Sequence, residues 1–480
     1  MTSVNVRPPF RLLLAGVMLV AACGGGSTTD GTAVLEWNEI AQRAAALDHH
    51  YVTQSEDPRS AGWQFGPTRT SRVFAMVHLA IADAVAATSG AFAPYYATAP
   101  APPHTDADAA VAQAAHDVLA ALYPLQADDF AADLVDALGP APRPAAIIRG
   151  IALGRAAAAA VLAGRAEDGS EWQTPFQPVD YTYGDLPGEW RADPLHAYAK
   201  PLTPDWGAVI PFAMASGAQF RVPPPPALDS AAYTAAYDEV KALGGDGVGT
   251  ATVRTADQTI AGIFWGYDAQ PFVCAPVKLY NQIAVQMARR FHLSRADSAR
   301  LLALVNVAMA DAGIAVWESK YYYNFWRPVG SIRESDAGTG PTGAGDGNTA
   351  TVGDPTWLPL GAPADHGSGV NFTPPFPAYP SGHAGFGAAL FQTMRRFFGR
   401  DDIGFTFVSD ELNGTTIDQN GHLRPRLPRS FASFSAAEEE NGQSRIYLGV
   451  HWAFDKTEGI AQGEQIADLV FDTILQPARR

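Results

Sequence analysis

The sequence predicts an all-α protein. Apolar residues recur at helical spacing over eight long segments, alternating strand patterns are scarce, and the breaks between segments are rich in proline and glycine. In chain order the predicted helices cover residues 33–48, 69–88, 106–123, 145–164, 231–243, 256–266, 279–291 and 295–319. Pro144 fits the first-turn preference of the fourth, and Ser294 reads as the N-cap of the eighth. That eighth helix delivers Trp317 and Lys320 at its end. A further helix opens at His383, where Ala384-Gly-Phe-Gly-Ala-Ala-Leu-Phe continues an apolar pattern, and another from about Gly449 carries His451 and Asp455 on one face, four residues apart. Irregular connections are expected at Pro223–Pro226 and over 338–353. His78 sits within an apolar helical pattern and reads as a core histidine, whereas His49, His50 and His366 have no matching partners in sequence.

Length alone, 480 residues, could accommodate two or three domains, yet no long linker divides the chain after its start, so residues 33–480 are expected to form one helical domain. The formal charge of −16 argues against nucleic acid and against general attraction to anionic membrane surfaces. Any cationic site must therefore be local, held by structure rather than by overall charge.

Such a site is written into residues 317–455. The chain reads Lys320-Tyr-Tyr-Tyr-Asn-Phe-Trp-Arg327-Pro328, then Pro380-Ser381-Gly382-His383, then Ser444-Arg445-Ile-Tyr-Leu-Gly-Val-His451 with Asp455 beyond. Arginine presents a planar fork that matches two oxyanion oxygens, while lysine acts as a point charge. Gly382 admits a close backbone approach, and a helix opening there aims N–H groups and a positive dipole end at the same place. A carboxylate accepting one ring N–H of His451 fixes its tautomer and leaves the other nitrogen to ligate or attack. Separately, Pro-Ser-Gly-His could be a turn with a cap, and Lys320 with Arg327 a solvated helix face. Occurring together in this order, they describe a pocket for a tetrahedral oxyanion.

The pattern Lys-x6-Arg-Pro, Pro-Ser-Gly-His, Ser-Arg-x5-His-x3-Asp resembles the signature shared by vanadium-dependent haloperoxidases and type 2 phosphatidic acid phosphatases. The likeness runs from about Thr252 to the C-terminus, and the long interval from His383 to Ser444 leans toward the haloperoxidase branch. The resemblance implies a helical bundle of that type, vanadate bound through His451, and Lys320, Arg327, Ser381, Gly382 and Arg445 hydrogen-bonded to its oxygens, with His383 as the acid–base group. It implies hydrogen peroxide and halide as substrates. Phe376, where bromoperoxidases tend to carry a second histidine, and Trp317 resemble the halide-pocket wall of the chloroperoxidase side; as large aromatics both could equally be ordinary packing residues. Asp268 resembles the acidic partner of the site arginine, at a distance from Lys320 that departs from the family pattern. The phosphatase alternative needs no cofactor: His451 attacks a phosphomonoester and His383 protonates the leaving group. A non-enzyme alternative, an oxyanion-binding lipoprotein, explains the cations but not the paired histidines.

At the N-terminus, Arg7 and Arg11 precede an apolar run from Leu12 to Ala22, too short to span a bilayer but suited to a signal sequence. Leu19-Val-Ala-Ala-Cys23 resembles a bacterial lipobox, which implies a signal over 1–22, lipidation at Cys23 and a flexible tether over 23–32. The expectation is export to the cell envelope on a lipid anchor, or secretion, with any membrane contact made through that anchor. Cys274 would then be the sole remaining cysteine, which rules out an intrachain disulfide.

Overall fold

A computed structural model describes residues 31–50, 57–170, 181–197, 199–367 and 369–478; Cys23 and the predicted leader lie outside these described residues. Among the described residues thirteen α-helices follow in chain order: α1 (Thr32–Asp48), α2 (Pro67–Ser89), α3 (Ala107–Leu122), α4 (Ala127–Leu138), α5 (Ala145–Gly164), α6 (Ala231–Leu243), α7 (Ala256–Phe264), α8 (Pro276–Arg290), α9 (Arg295–Tyr323), α10 (Pro328–Glu334), α11 (Gly382–Phe398), α12 (Phe434–Tyr447) and α13 (Ala453–Thr473). The described strands are β1 (Phe405–Phe407) and β2 (Arg429–Phe431), an antiparallel pair with Phe405 opposite Phe431. All eight predicted helices form, with ends shifted by at most a few residues.

Local chemistry accounts for the starts and stops. Asp106, Ser294 and Ser433 each accept an N–H from the residue three positions on, and Thr255 with Gln258 completes a reciprocal capping box. Pro144 stands at the N-cap of α5 itself, one position before the first turn where its preference had placed it. Helix α9 stops because Asn324 turns left-handed, φ 49°, and returns its N–H to Lys320 O, after which Pro328 opens α10.

One apolar core runs from Val34 to Leu475, and a smaller cluster gathers Tyr233, Tyr237, Trp326, Trp357 and Trp452. Helices α2, α5 and α9 are each long and apolar enough to cross a membrane by length and composition. The most apolar stretches of α2 and α9 are 94 % buried inside this protein, so their all-round apolar surface is accounted for by packing; that of α5 is 28 % buried. Helix α9 is flanked by α2 and α11, and α13 lies along α11. The α11–α13 approach depends on glycine: a Cβ on Gly463 would stand 2.3 Å from Gly385 O, and one on Gly459 2.7 Å from Ser381 O. This contact brings the start of α13 against the start of α11, and Ser381 N–H donates to Asp455 O at 2.9 Å.

Candidate active site

The site is assembled at helix ends. Lys320 occupies the last turn of α9, Arg327 the N-cap of α10, Ser381 the N-cap of α11 with Gly382 and His383 in its first turn, and Arg445 the last turn of α12. His451 departs from expectation. Helix α13 begins only at Ala453, so His451 lies in the preceding loop, which Gly449 bends with φ +74°. The His451–Asp455 contact is made by the first-turn carboxylate reaching back: Oδ2 accepts His451 Nδ1–H at 2.7 Å and Trp452 N–H at 3.1 Å. The pairing was foreseen; the shared helix face was not its cause.

All three cations are buried. Arg327 donates Nε–H to Phe376 O at 2.9 Å and Nη1–H to Val450 O at 2.8 Å, and Nη1 also meets His451 Nε2 at 2.9 Å. Arg445 gives Nη2 to both oxygens of Asp268 at 2.8 Å, so the acid is brought to the site arginine. Lys320 Nζ donates to the carbonyls of Pro377, Ala378 and Pro380 at 2.5–2.8 Å, which uses all three of its protons. Lys320 therefore braces the segment leading into Ser381, and its charge reaches the pocket through space.

Three cations face two carboxylates, and the remaining donors have nowhere to go. Arg327 Nη2 and Arg445 Nε and Nη1 are buried without a hydrogen-bond partner among the described residues. Burial, with Arg327 and Arg445 close by, holds Lys320 well below the usual lysine range, and burial lowers Arg327 to about 9. Burial pushes Asp455 up to about 7, against the pull of Lys320, the Trp452 N–H and Arg327. Both imidazoles are held well below the usual histidine range, by burial first and then by the surrounding cations. An anion would relieve the repulsion and take up the orphan N–H groups, so the residues present fit a tetrahedral oxyanion. The arrangement can hold such a group against His451 Nε2, the ring nitrogen left as an acceptor by the Asp455 bond. A ligand there would take the place that Arg327 Nη1 holds, 2.9 Å from His451 Nε2.

These groups open on a cavity of about 350 Å³, lined among others by Gly382, His383, Arg445, His451, Trp317 and Phe376. Lys320, Arg327 and Ser381 stand behind that wall. A Cβ on Gly382 would meet the Trp317 ring at an ordinary 3.5 Å, so the protein has room for alanine there, and the missing methyl leaves space for a ligand. Trp317 and Phe376 pack with ring centroids 4.8 Å apart, and Lys320 Nζ and Arg327 Cζ lie 5.1 and 4.9 Å from the Phe376 centroid.

Several supports were not foreseen. His383 Nε2–H donates to Gly266 O at 2.6 Å, which leaves Nδ1 as the acceptor nitrogen, while Tyr280 and Asn441 hold the His383 carbonyl. The same Gly266–Tyr267 peptide unit donates Tyr267 N–H to Glu411 at 2.7 Å, and buried Glu411 is tied to Arg424, which also pairs with Asp365. The segment between the second and third motifs thus buttresses the strip that holds His383 and Asp268. Asn441 precedes Arg445 by one helical turn, a spacing visible in sequence; nothing near Glu411 marks it.

With this geometry in view, residues 300–479 match the family described as the second helical-bundle domain of vanadium chloroperoxidases. The match covers the helical bundle from within α9 to the end of α13. The bundle contains every member of the predicted oxyanion constellation from Lys320 to Asp455. The chain is also 38 % identical over 273 residues to the vanadium chloroperoxidase of Curvularia inaequalis, an alignment covering 49 % of this chain and 43 % of that relative. The chain thus spans less than half the length of the curated relative it matches. Among solved structures, the first bacterial vanadium-dependent iodoperoxidase superposes with a TM-score of 0.71 at 24 % identity, covering 93 % of this chain and 98 % of that one. A holo-type bacterial vanadium-dependent chloroperoxidase gives 0.66 at 18 %, with coverage of 93 % and 98 %. The helical architecture expected from periodicity is therefore the haloperoxidase fold over nearly the whole chain.

Proposed function

We propose that this protein is a vanadate-dependent haloperoxidase that oxidises halide with hydrogen peroxide to hypohalous acid. The observation that carries the reading is the buried excess of positive charge around an acceptor nitrogen: orphan donors of Arg327 and Arg445 beside His451, whose tautomer Asp455 fixes. The 38 % identity to a vanadium chloroperoxidase supports it. Bound vanadate supplies a vanadium(V) Lewis acid that activates hydrogen peroxide at constant oxidation state. His451 ligates through Nε2, Arg327 and Arg445 hold the oxyanion oxygens, and the N–H groups at the start of α11 add to them. His383, oriented through Gly266, would hold and move a proton at Nδ1. Trp317 and Phe376 exclude water from the halide. The test is to load purified protein with orthovanadate and measure bromination of a reporter with peroxide and bromide, against phosphomonoester hydrolysis by vanadium-free protein. Bromination that His451→Ala abolishes, with helical content retained, is the expected result; hydrolysis without bromination would replace it with the phosphatase reaction.

We also propose export to the envelope on a lipid at Cys23, supported by the lipobox-like sequence. Cys23→Ser should then move the protein from the membrane to the soluble fraction; a parent protein already soluble, beginning at another residue, would point to secretion.

A further inference from the structure

We infer that a second cavity, separate from the catalytic one, binds the carboxylate of a compact apolar organic acid. It is lined from α2, from the ends of α3 and α5 and from the turn at Trp206, and it encloses about 320 Å³. That volume falls in the range of small-molecule sites, about 300–1,000 Å³. Among the described residues it shares no lining residue with the catalytic cavity, so the site stands whether or not the protein is a haloperoxidase.

Unspent donors surround this cavity. Arg69, Arg165 and Trp206 line it and are 6, 4 and 4 % exposed. Arg69 Nε, Arg165 Nε and Trp206 Nε1 are buried N–H groups with no acceptor among the described residues. An unpaired buried donor costs about 1–3 kcal/mol, and more where it is charged. Water could accept from these groups but could not neutralise a charge.

The charge is there to be neutralised. Asp168 pairs with Arg72 at 2.8 Å and with Arg165 at 2.7 Å. Arg69 has no carboxylate partner among the described residues: its Nη1 donates to Ser170 O at 3.2 Å, and its Cζ lies 5.5 Å from the centre of the Trp206 ring. The Nε–Nη2 edge, which matches the two oxygens of a carboxylate, is left free. Burial, then Arg72, lowers Arg69 to about 10 against the pull of Asp168 and Asp48, so it stays charged at neutral pH. Asp48 itself accepts the N–H groups of Trp63 and Gln64. One unpaired guanidinium selects a monoanion, whereas a phosphate dianion would bring a second negative charge towards Asp168.

The remaining walls select the body of that acid. Gln64 gives its side-chain amide to Leu122 O, and Ser170 N–H goes to Asp168. Beyond the arginines the lining therefore offers the apolar surface of Met76, Leu122, Leu162 and Trp206. A carboxylate group takes the space of roughly two waters, about 60 Å³, and the rest of the cavity accommodates an apolar body.

The experiment titrates full-length protein, given one equivalent of orthovanadate to fill the catalytic pocket, with 2-naphthoate, its neutral methyl ester and inorganic phosphate in a calorimeter. Saturable one-to-one binding of 2-naphthoate is expected, with the ester and phosphate at least tenfold weaker. Arg69→Met should weaken 2-naphthoate about ten- to a hundredfold, the worth of a hydrogen bond to a charged group. Ala166→Trp, at an exposed lining position, leaves the guanidinium untouched and should weaken binding by narrowing the entrance. Bromide turnover should stay at the parental rate in both variants. No saturable binding of 2-naphthoate by the parent, binding of the ester or of phosphate as tight as that of the acid, or binding unchanged in either folded variant would overturn the site.

Discussion

Asp455→Asn separates charge from bond at the centre of the site. Asparagine keeps an oxygen where Oδ2 accepts His451 Nδ1–H and Trp452 N–H, and its amide takes the place of Oδ1, which has no partner among the described residues. The fold should survive, because burial already pushes Asp455 up to about 7, so that the neutral form is within easy reach. Two opposing effects follow. Removing a negative charge leaves the three cations more strongly attractive to any anion, a through-space gain of at most about 4 kcal/mol. Replacing a charge-assisted bond to Nδ1–H by a neutral one loses about 1–2 kcal/mol of support for an imidazole that must donate from Nε2. The first effect is common to phosphate and vanadate; the second bears on vanadate alone, if only vanadate bonds to His451. The ratio of the two affinities should therefore fall about five- to thirtyfold, while phosphate affinity is unchanged or improved. Calorimetric titration of parent and variant with phosphate, and displacement of phosphate by orthovanadate, gives both numbers. An unchanged ratio would show that Asp455 does not support a ligating His451.

Glu411→Ala should destabilise the protein by about 1–3 kcal/mol in denaturant unfolding, because Tyr267 N–H loses its buried acceptor while Arg424 keeps Asp365; a cost below about 0.5 kcal/mol would make Glu411 dispensable. His78 is buried, and desolvation lowers it from 6.5 to about 4, so the unfolded chain takes up its proton first: its contribution is complete above pH 6.5 and falls by on the order of 3 kcal/mol as pH drops toward 4. His78→Leu should flatten that part of the pH–stability curve, and parallel curves would refute the assignment; Asp48, Asp83 and Asp311, raised by burial to about 6, act oppositely and cancel in the difference. Phe376→His should lower chloride turnover relative to bromide by inserting a polar ring beside Lys320 and Arg327; bromide turnover by the parent with no chloride turnover anywhere from roughly pH 4 to 7 would remove the halide claim.

Helix existence was legible where one face packs and the other meets solvent, which imposes a 3.6-residue period, as in 231–243, where prediction and observation coincide. Three helices were not marked in advance. Helix α4 carries four aspartates in twelve residues, α10 has only seven residues, the first a proline, and α12 packs Glu-Glu-Glu-Asn-Gly-Gln into its middle. Helices α10 and α12 are too short or too polar to display a period and are held by contacts more remote in sequence, whereas α4 does present an apolar face, Phe130, Leu134 and Leu138, to the neighbouring α3, a period hidden among its aspartates. The start of α13 was misplaced because an i, i+4 spacing is also what a first-turn carboxylate produces when it caps a preceding loop residue.

The site divides along the same line. Residue types state which charges are present, so Lys320, Arg327, Arg445, the two histidines and Asp455 could be named from spacing alone. Which of them touch a ligand is decided by where the backbone passes. The chain from Pro377 to Pro380 collects every proton of Lys320, and the peptide between Gly266 and Tyr267 is clamped from one side by His383 and from the other by Glu411. Three buried cations would expel one another or admit water if their helices could move. The clamp at Gly266, the carbonyl cradle under Lys320 and the glycine contact between α11 and α13 supply the rigidity that keeps orphan donors pointed inward. A chain with a formal charge of −16 thus presents a cationic pocket because the cost of that concentration of charge is spread over a core assembled from segments hundreds of residues apart.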